Sequence, residues 1–137
     1  MPLRIVLALS LVAVISGCAS DREPEQETAL SRRVLTKEMQ EALTPHEVVE
    51  RLREGNRRFV AEETLVRDHS VQVRKAVSGQ FPKAIVLSCV DSRIPVEDVL
   101  DQGIGDIFVG RVAGNFEYID QLGCMEFGSK LAGAKTA

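Results

Sequence analysis

Apolar positions change their pattern three times along the chain. From Ile5 to Ile15 they run almost unbroken, behind one positive charge at Arg4. From Ala19 to Lys37 the residues are mostly Glu, Arg, Ser and Gln with Pro24, and no apolar period is sustained, although 34–42 has partial helical character. Beyond that point regular periods begin. Val48, Val49, Leu52, Phe59 and Val60 recur at helical spacing and predict a helix over about 44–62, weakened in the middle by Gly55. Its start is marked by Thr44-Pro45-His46-Glu47: a capping hydroxyl, a proline at the first helical position and a glutamate at capping-box spacing. A second amphipathic stretch, 70–78, carries Val71, Val73 and Val77, and Gly79 stops it.

The run Lys83-Ala84-Ile85-Val86-Leu87-Ser88-Cys89 is short and continuously apolar, the mark of a parallel strand covered on both faces. The chain then turns polar at Asp91, Ser92 and Arg93. Pro95 opens a short helix to about Gln102, which Gly103-Ile104-Gly105 breaks. Ile107-Phe108-Val109 reads as a second strand, and 119–131 as a helix with Leu122, Met125, Phe127 and Leu131 as core candidates. This alternation predicts an α/β fold, a parallel β-sheet with flanking helices. The last helix should feed a third strand, and the sequence reaches Ala137 first, so the fold is expected to be truncated before that strand.

The apolar run near the N-terminus is shorter than the ~20 residues a membrane span needs and has the size of a signal-peptide core. Ile15-Ser16-Gly17-Cys18 resembles a bacterial lipobox. That resemblance implies a lipoprotein signal over 1–18, lipidation of Cys18, a lipid anchor to the membrane and, with Ala19 next, export to the periplasmic side of the outer membrane. Residues 19–42 are then a tether and 43–137 the domain, one unit at this length. Net charge is -3, from 17 basic and 20 acidic residues, so no positive excess exists to attract nucleic acid. Three cysteines and two histidines leave few groups for metal chemistry.

Functional groups in open α/β sheets gather at the carboxyl ends of strands. There this chain places Cys89, Asp91 and Arg93 at alternate positions. A thiolate can bind a metal such as zinc, a carboxylate can bind metal or accept a proton, and a guanidinium can hold the carboxylate ionised. Cys89-Val90-Asp91-Ser92-Arg93 resembles the Cys-x-Asp-Ser-Arg signature of the β-class carbonic anhydrases. Gln80, nine residues earlier, matches that family's substrate-facing glutamine. The stretch from Asp101 to Val109, the run Arg111-Val112-Ala113-Gly114-Asn115, the helix around Leu122-Gly123-Cys124-Met125-Glu126-Phe127 and the segment from Leu43 to Val60 are similar to its other parts.

The resemblance implies reversible hydration of carbon dioxide to bicarbonate by a hydroxide on zinc, whose bound water is acidified from about 15.7 toward 7. It implies Cys89 as a zinc ligand, Asp91 as an exchangeable ligand and proton partner, Arg93 as its counter-ion, Gln80 as a donor to a substrate oxygen, and a homodimer or larger assembly. The family draws its other two ligands from a His-x-x-Cys, which these 137 residues lack: Val49 follows His46 and Gln72 follows His69 at that spacing. Val112 stands where the family has Asn. Two explanations follow: an incomplete record of an active enzyme, or a truncated, inactive, lipid-anchored fragment.

Other readings remain for single residues. Cys89 could be a strand-end thiol, Asp91 and Arg93 a structural ion pair, Gln80 an exposed turn residue and Ser92 a helix cap. His46 and His69 are expected at the surface and Cys124 in the core. Gly103 and Gly105 follow a helix and precede a strand, the wrong order for a pyrophosphate turn. Three residues between Cys89 and Arg93 are too few for a cysteine-phosphatase cradle.

Overall fold

The computed structural model describes residues 31–137. The apolar leader and Cys18 lie outside the described residues. The elements in order are α1 (Lys37–Glu41), α2 (Pro45–Val60), α3 (His69–Ala76), β1 (Ala84–Ser88), α4 (Val96–Val99), β2 (Ile107–Arg111) and α5 (Ile119–Glu126), the last continuing into a π-helical turn, Phe127–Leu131. Helix α2 begins as its sequence dictates. The Glu47 backbone N–H donates to Thr44 Oγ1 at 3.3 Å, and the Thr44 N–H donates to Glu47 Oε2 at 2.8 Å.

Strands β1 and β2 pair in parallel, from Ala84 opposite Ile107 to Ser88 opposite Arg111, with α4 in the crossover between them. The expected α/β layout is therefore present. One addition concerns the third position in the sheet. Thr136 forms a parallel bridge to Ala84, the Ile85 N–H donates to the Thr136 carbonyl at 3.0 Å, and the Lys135 N–H donates to the Lys83 carbonyl at 2.8 Å. The first residues of β1 thus have neighbours on both sides, whereas from Val86 onward one side has no strand partner among the described residues. The core is small: Leu43, Val48, Ala84, Val96 and Ile107 are buried, with Leu52, Val86, Leu100 and Val109 packed on them. Helix α2 approaches this crossover so closely that a Cβ on Gly55 would sit 1.9 Å from the Leu100 carbonyl oxygen, which explains a glycine in mid-helix.

Several expectations are corrected. The segment read as tether is packed over 35–42. Leu35 and Gln40 are buried, and Gln40 Nε2 donates to the carbonyls of Pro82 (2.6 Å) and Ala132 (2.8 Å). In α3 the inward residue is Gln72, not the valines. Its amide donates to the Arg33 carbonyl and accepts from the Ile104 N–H, while Val73 and Val77 are exposed. At the C-terminal helix Leu122, Phe127 and Leu131 are exposed, and only Met125 of the four core candidates is not. The buried positions are Gln121 and Gly128, the latter lying on Ile85 and Phe108. The π-helical turn widens the repeat, so the α-helical period assumed for 127–131 selects the wrong face. Cys124 is likewise exposed rather than core.

A buried carboxylate ties the helices to the crossover. Asp101, at φ 49°, has a side chain 1% exposed and accepts from Arg58 Nε (2.5 Å), from Arg67 Nη1 and from the Leu65 N–H (3.2 Å). Burial alone would push this carboxyl up, and the hydrogen bonds from Arg67 and Arg58 outweigh it, holding its pKa below the usual value. A depressed carboxyl pKa contributes stability above the unfolded value near 3.9, and that contribution is lost as the pH falls through the folded pKa. Asp101→Asn is expected to cost about 3 kcal/mol in urea unfolding at pH 7, the scale of breaking a buried ion pair, and to flatten the fall in stability below pH 4. Gly55→Ala should destabilise by about 2 kcal/mol through overpacking, read as a lower unfolding midpoint at unchanged slope.

Candidate functional site at the carboxyl end of the sheet

Parallel pairing puts the carboxyl ends of β1 and β2 side by side, and Ser88 stands opposite Arg111. The chain leaving β1 folds into a tight loop over 89–94. Asp91 Oδ1 accepts from the Arg93 backbone N–H and from Arg93 Nε, both at 3.0 Å, and Oδ2 accepts from Arg93 Nη2 at 2.7 Å. The side-chain fork and the backbone N–H of one residue therefore hold one carboxylate. The Arg93 side chain, then its backbone N–H, lower the Asp91 pKa to about 2, against an opposing push from burial and with help from Arg111. Asp91 in turn raises the Arg93 pKa. The carboxylate is ionised at any neutral pH.

Cys89 is half-buried, with its thiol pKa lowered by hydrogen bonding from the Gly114 backbone N–H and then that of Asp91. These N–H groups stabilise the thiolate, the form that binds metals. The sequence reading assigned no role to Arg111. Its Nε donates to the Cys89 carbonyl at 2.8 Å, and its Nη2 donates to the carbonyls of Asp91 (2.5 Å) and Ile94 (3.1 Å). One guanidinium from β2 thus fastens three carbonyls of the β1 loop. The signal was present in the sequence, since parallel pairing of two strands of this length brings the end of the second beside Cys89.

The Asp91 side chain engages Arg93, and the Asp91 backbone N–H bonds the Cys89 thiol. Gln80 is exposed and precedes β1. Ser92 caps nothing, because α4 is entered through Pro95 with no side-chain capping bond. His46 and His69 are exposed, as expected. Cys89 and Asp91 are suitable metal donors, but among the described residues no three His, Cys, Asp or Glu side chains gather as a metal site. The described donor set is therefore insufficient for zinc, which in catalytic sites takes three protein ligands.

Residues 84–136 match the family model for carbonic anhydrase. Carbonic anhydrase 2 of Mycobacterium tuberculosis is 43% identical over 77 residues, which are 56% of this chain and 37% of that protein. A carbonic anhydrase of Mycolicibacterium smegmatis is 40% identical over 77 residues, with the same coverage. The chain thus spans just over a third of the length of these relatives. Among solved structures, a β-carbonic anhydrase of Aspergillus fumigatus aligns with TM-score 0.45 at 27% identity, covering 50% of this chain and 34% of that one. One of two tetrameric β-carbonic anhydrases of Sordaria macrospora aligns with TM-score 0.43 at 29% identity, covering 46% and 34%. Over part of its length the chain is similar to carbonic anhydrases, by the family model and by these sequence relatives.

Carboxyl-detected NMR titration should place the Asp91 midpoint near 2, and Arg93→Gln should move it up toward the ordinary carboxylate value of about 3.9. A midpoint unmoved in that variant would show that Arg93 does not hold the carboxylate. Arg111→Gln is expected to speed amide hydrogen exchange in 89–94 by about tenfold while leaving α2 unchanged, as a local opening does.

Proposed function

We propose that the whole protein is a β-class carbonic anhydrase, interconverting carbon dioxide and bicarbonate, and that this chain carries the strand-end part of its site. The observation that carries the reading is the Asp91 carboxylate gripped by Arg93, two residues after a Cys89 whose thiolate is favoured by backbone N–H groups. In this reading Cys89 is a metal donor, Asp91 is an exchangeable donor or proton acceptor, and Arg93 keeps Asp91 ionised and engaged. Zinc is the cofactor the reading implies, one per complete site, and the described residues bring only two donors to it. Gln80 would donate an amide hydrogen to a substrate or bicarbonate oxygen, and its exposed position leaves that amide accessible.

Cys18, after the apolar run from Ile5 to Ile15, would carry a lipid that anchors the protein on the periplasmic side of the outer membrane. Association of two or more copies is supported by the apolar side chains left exposed on and after α5, Ile119 and Leu131 among them. The rival reading, an inactive lipid-anchored fragment, is favoured by the two-donor site.

Stopped-flow measurement of carbon dioxide hydration, with zinc counted in the same samples, tests the proposal on the full-length protein. One zinc per chain and a rate abolished by Cys89→Ser are expected. A full-length protein that binds zinc with no rate above background would overturn it. These 137 residues alone are expected to hydrate no carbon dioxide above the uncatalysed rate, because their described residues supply too few donors.

A further inference from the structure

A cleft of about 670 Å³ lies at the amino end of the sheet, the opposite end of β1 from Cys89. Six basic and four acidic side chains line it, in a chain whose net charge is -3. Most of these charges are already matched. Arg57 bonds Glu54 at 2.6 Å, Arg58 and Arg67 share Asp101, and Glu50 is taken by Arg53 at 2.7 Å. Arg33, Arg51 and Lys83 are left. Neither guanidinium is ion-paired at contact distance with a carboxylate among the described residues, and Arg51 acts on the Glu47 carboxylate only from longer range. Lys83 Nζ lies 3.4 Å from Asp106 Oδ2, and that oxygen also accepts the Gly103 N–H at 2.9 Å. Lys83 thus shares its carboxylate with a backbone N–H, and Arg33 and Arg51 stand within electrostatic range of its ammonium.

The placement of these cations is fixed by the fold. Lys83 is 4% exposed, and its backbone is bonded on both sides, to the Asp106 carbonyl and from the Lys135 N–H. Arg33 is held by the bond from Gln72 to its carbonyl and by the burial of Leu35 nearby, while Arg51 is carried on α2. Both guanidinium groups remain exposed at the mouth. We propose that this cleft binds a doubly charged oxyanion, a phosphate group, with Arg33 and Arg51 closing on it from the mouth and Lys83 at its floor. Two guanidinium forks match phosphate oxygens in geometry as well as in charge, and a buried ammonium gains most from an added anion. Consistent with this, burial lowers the Lys83 pKa, Asp106 opposes that, and Arg33 and Arg51 lower it further. The site is separate from the strand-end site and does not depend on the reading proposed for it.

Titration calorimetry of inorganic phosphate into the purified full chain, at neutral pH and in moderate chloride, tests the site. Saturable binding at one phosphate per chain is expected. Arg33→Gln and Arg51→Gln should each weaken it about tenfold, the scale of one charge-assisted contact, and the double variant should abolish it. Both residues are exposed, so the unfolding midpoint of these variants should be unchanged. Arg74→Gln, on α3 and outside the cleft, should bind as the unaltered chain does. Glycerol phosphate in a parallel titration separates the two sources: tighter binding than inorganic phosphate points to an esterified ligand, and weaker binding to the free ion. No saturable binding, a double variant that binds normally, or an equal loss in Arg74→Gln would overturn the proposal.

Discussion

Everything at the strand-end site follows from the parallel pairing of β1 with β2. Two strands running the same way deliver their carboxyl ends to one edge, so the loop after the first meets the last residue of the second. Arg111 is that last residue, and its bonds to three loop carbonyls become possible only in this register. A slip of one residue would turn the side chain to the opposite face of the sheet. The Asp91–Arg93 pair is local and would form in many loops; its placement beside Cys89, on a loop fastened from the neighbouring strand, is a property of the sheet.

The same pairing explains why the far end of the sheet is built from ions. Asp101 and Asp106 sit in the crossover between α4 and β2, where the chain turns back to start the second strand; Asp101 is met by Arg58 and Arg67, and Asp106 by Lys83 just before β1. For Asp101 the two arginines come from α2 and from the segment before α3, so one buried carboxylate fastens three stretches of chain. With a core of only a few aliphatic side chains, such polar ties carry a large share of the specificity of this fold. The buried glutamines act alike. Gln40 and Gln72 each bridge backbone groups distant in sequence, where apolar residues would leave those groups unpaired.

What could be read in the sequence was local. The start of α2 was legible because its capping box lies within four residues. Strand β1 was legible because a short apolar run with Pro82 before it and polar residues after it has few alternatives. Cys89, Asp91 and Arg93 were legible as a group because their spacing is set by the chain itself. What stayed hidden depended on distant partners: Gln72 displacing the valines of α3, Arg111 reaching back across the sheet, and Asp101 gathering two arginines. The face of the last helix was misread for a different reason. Over 127–131 a π-helical turn breaks the α-helical period, and Gly128, with no side chain to register in any pattern, takes the buried position; in the regular turn before it, Gln121 is buried in place of Leu122.

The bridge between Thr136 and Ala84 fixes parity as well as position. Two backbone bonds set which side chains of any further extended residues would point toward α2 and which away, since odd and even places in a strand face opposite ways. Adding or deleting one residue between Gly133 and Lys135 would leave composition and hydrophobicity almost untouched, yet it would exchange the inner and outer sides of everything laid down along β1 afterwards.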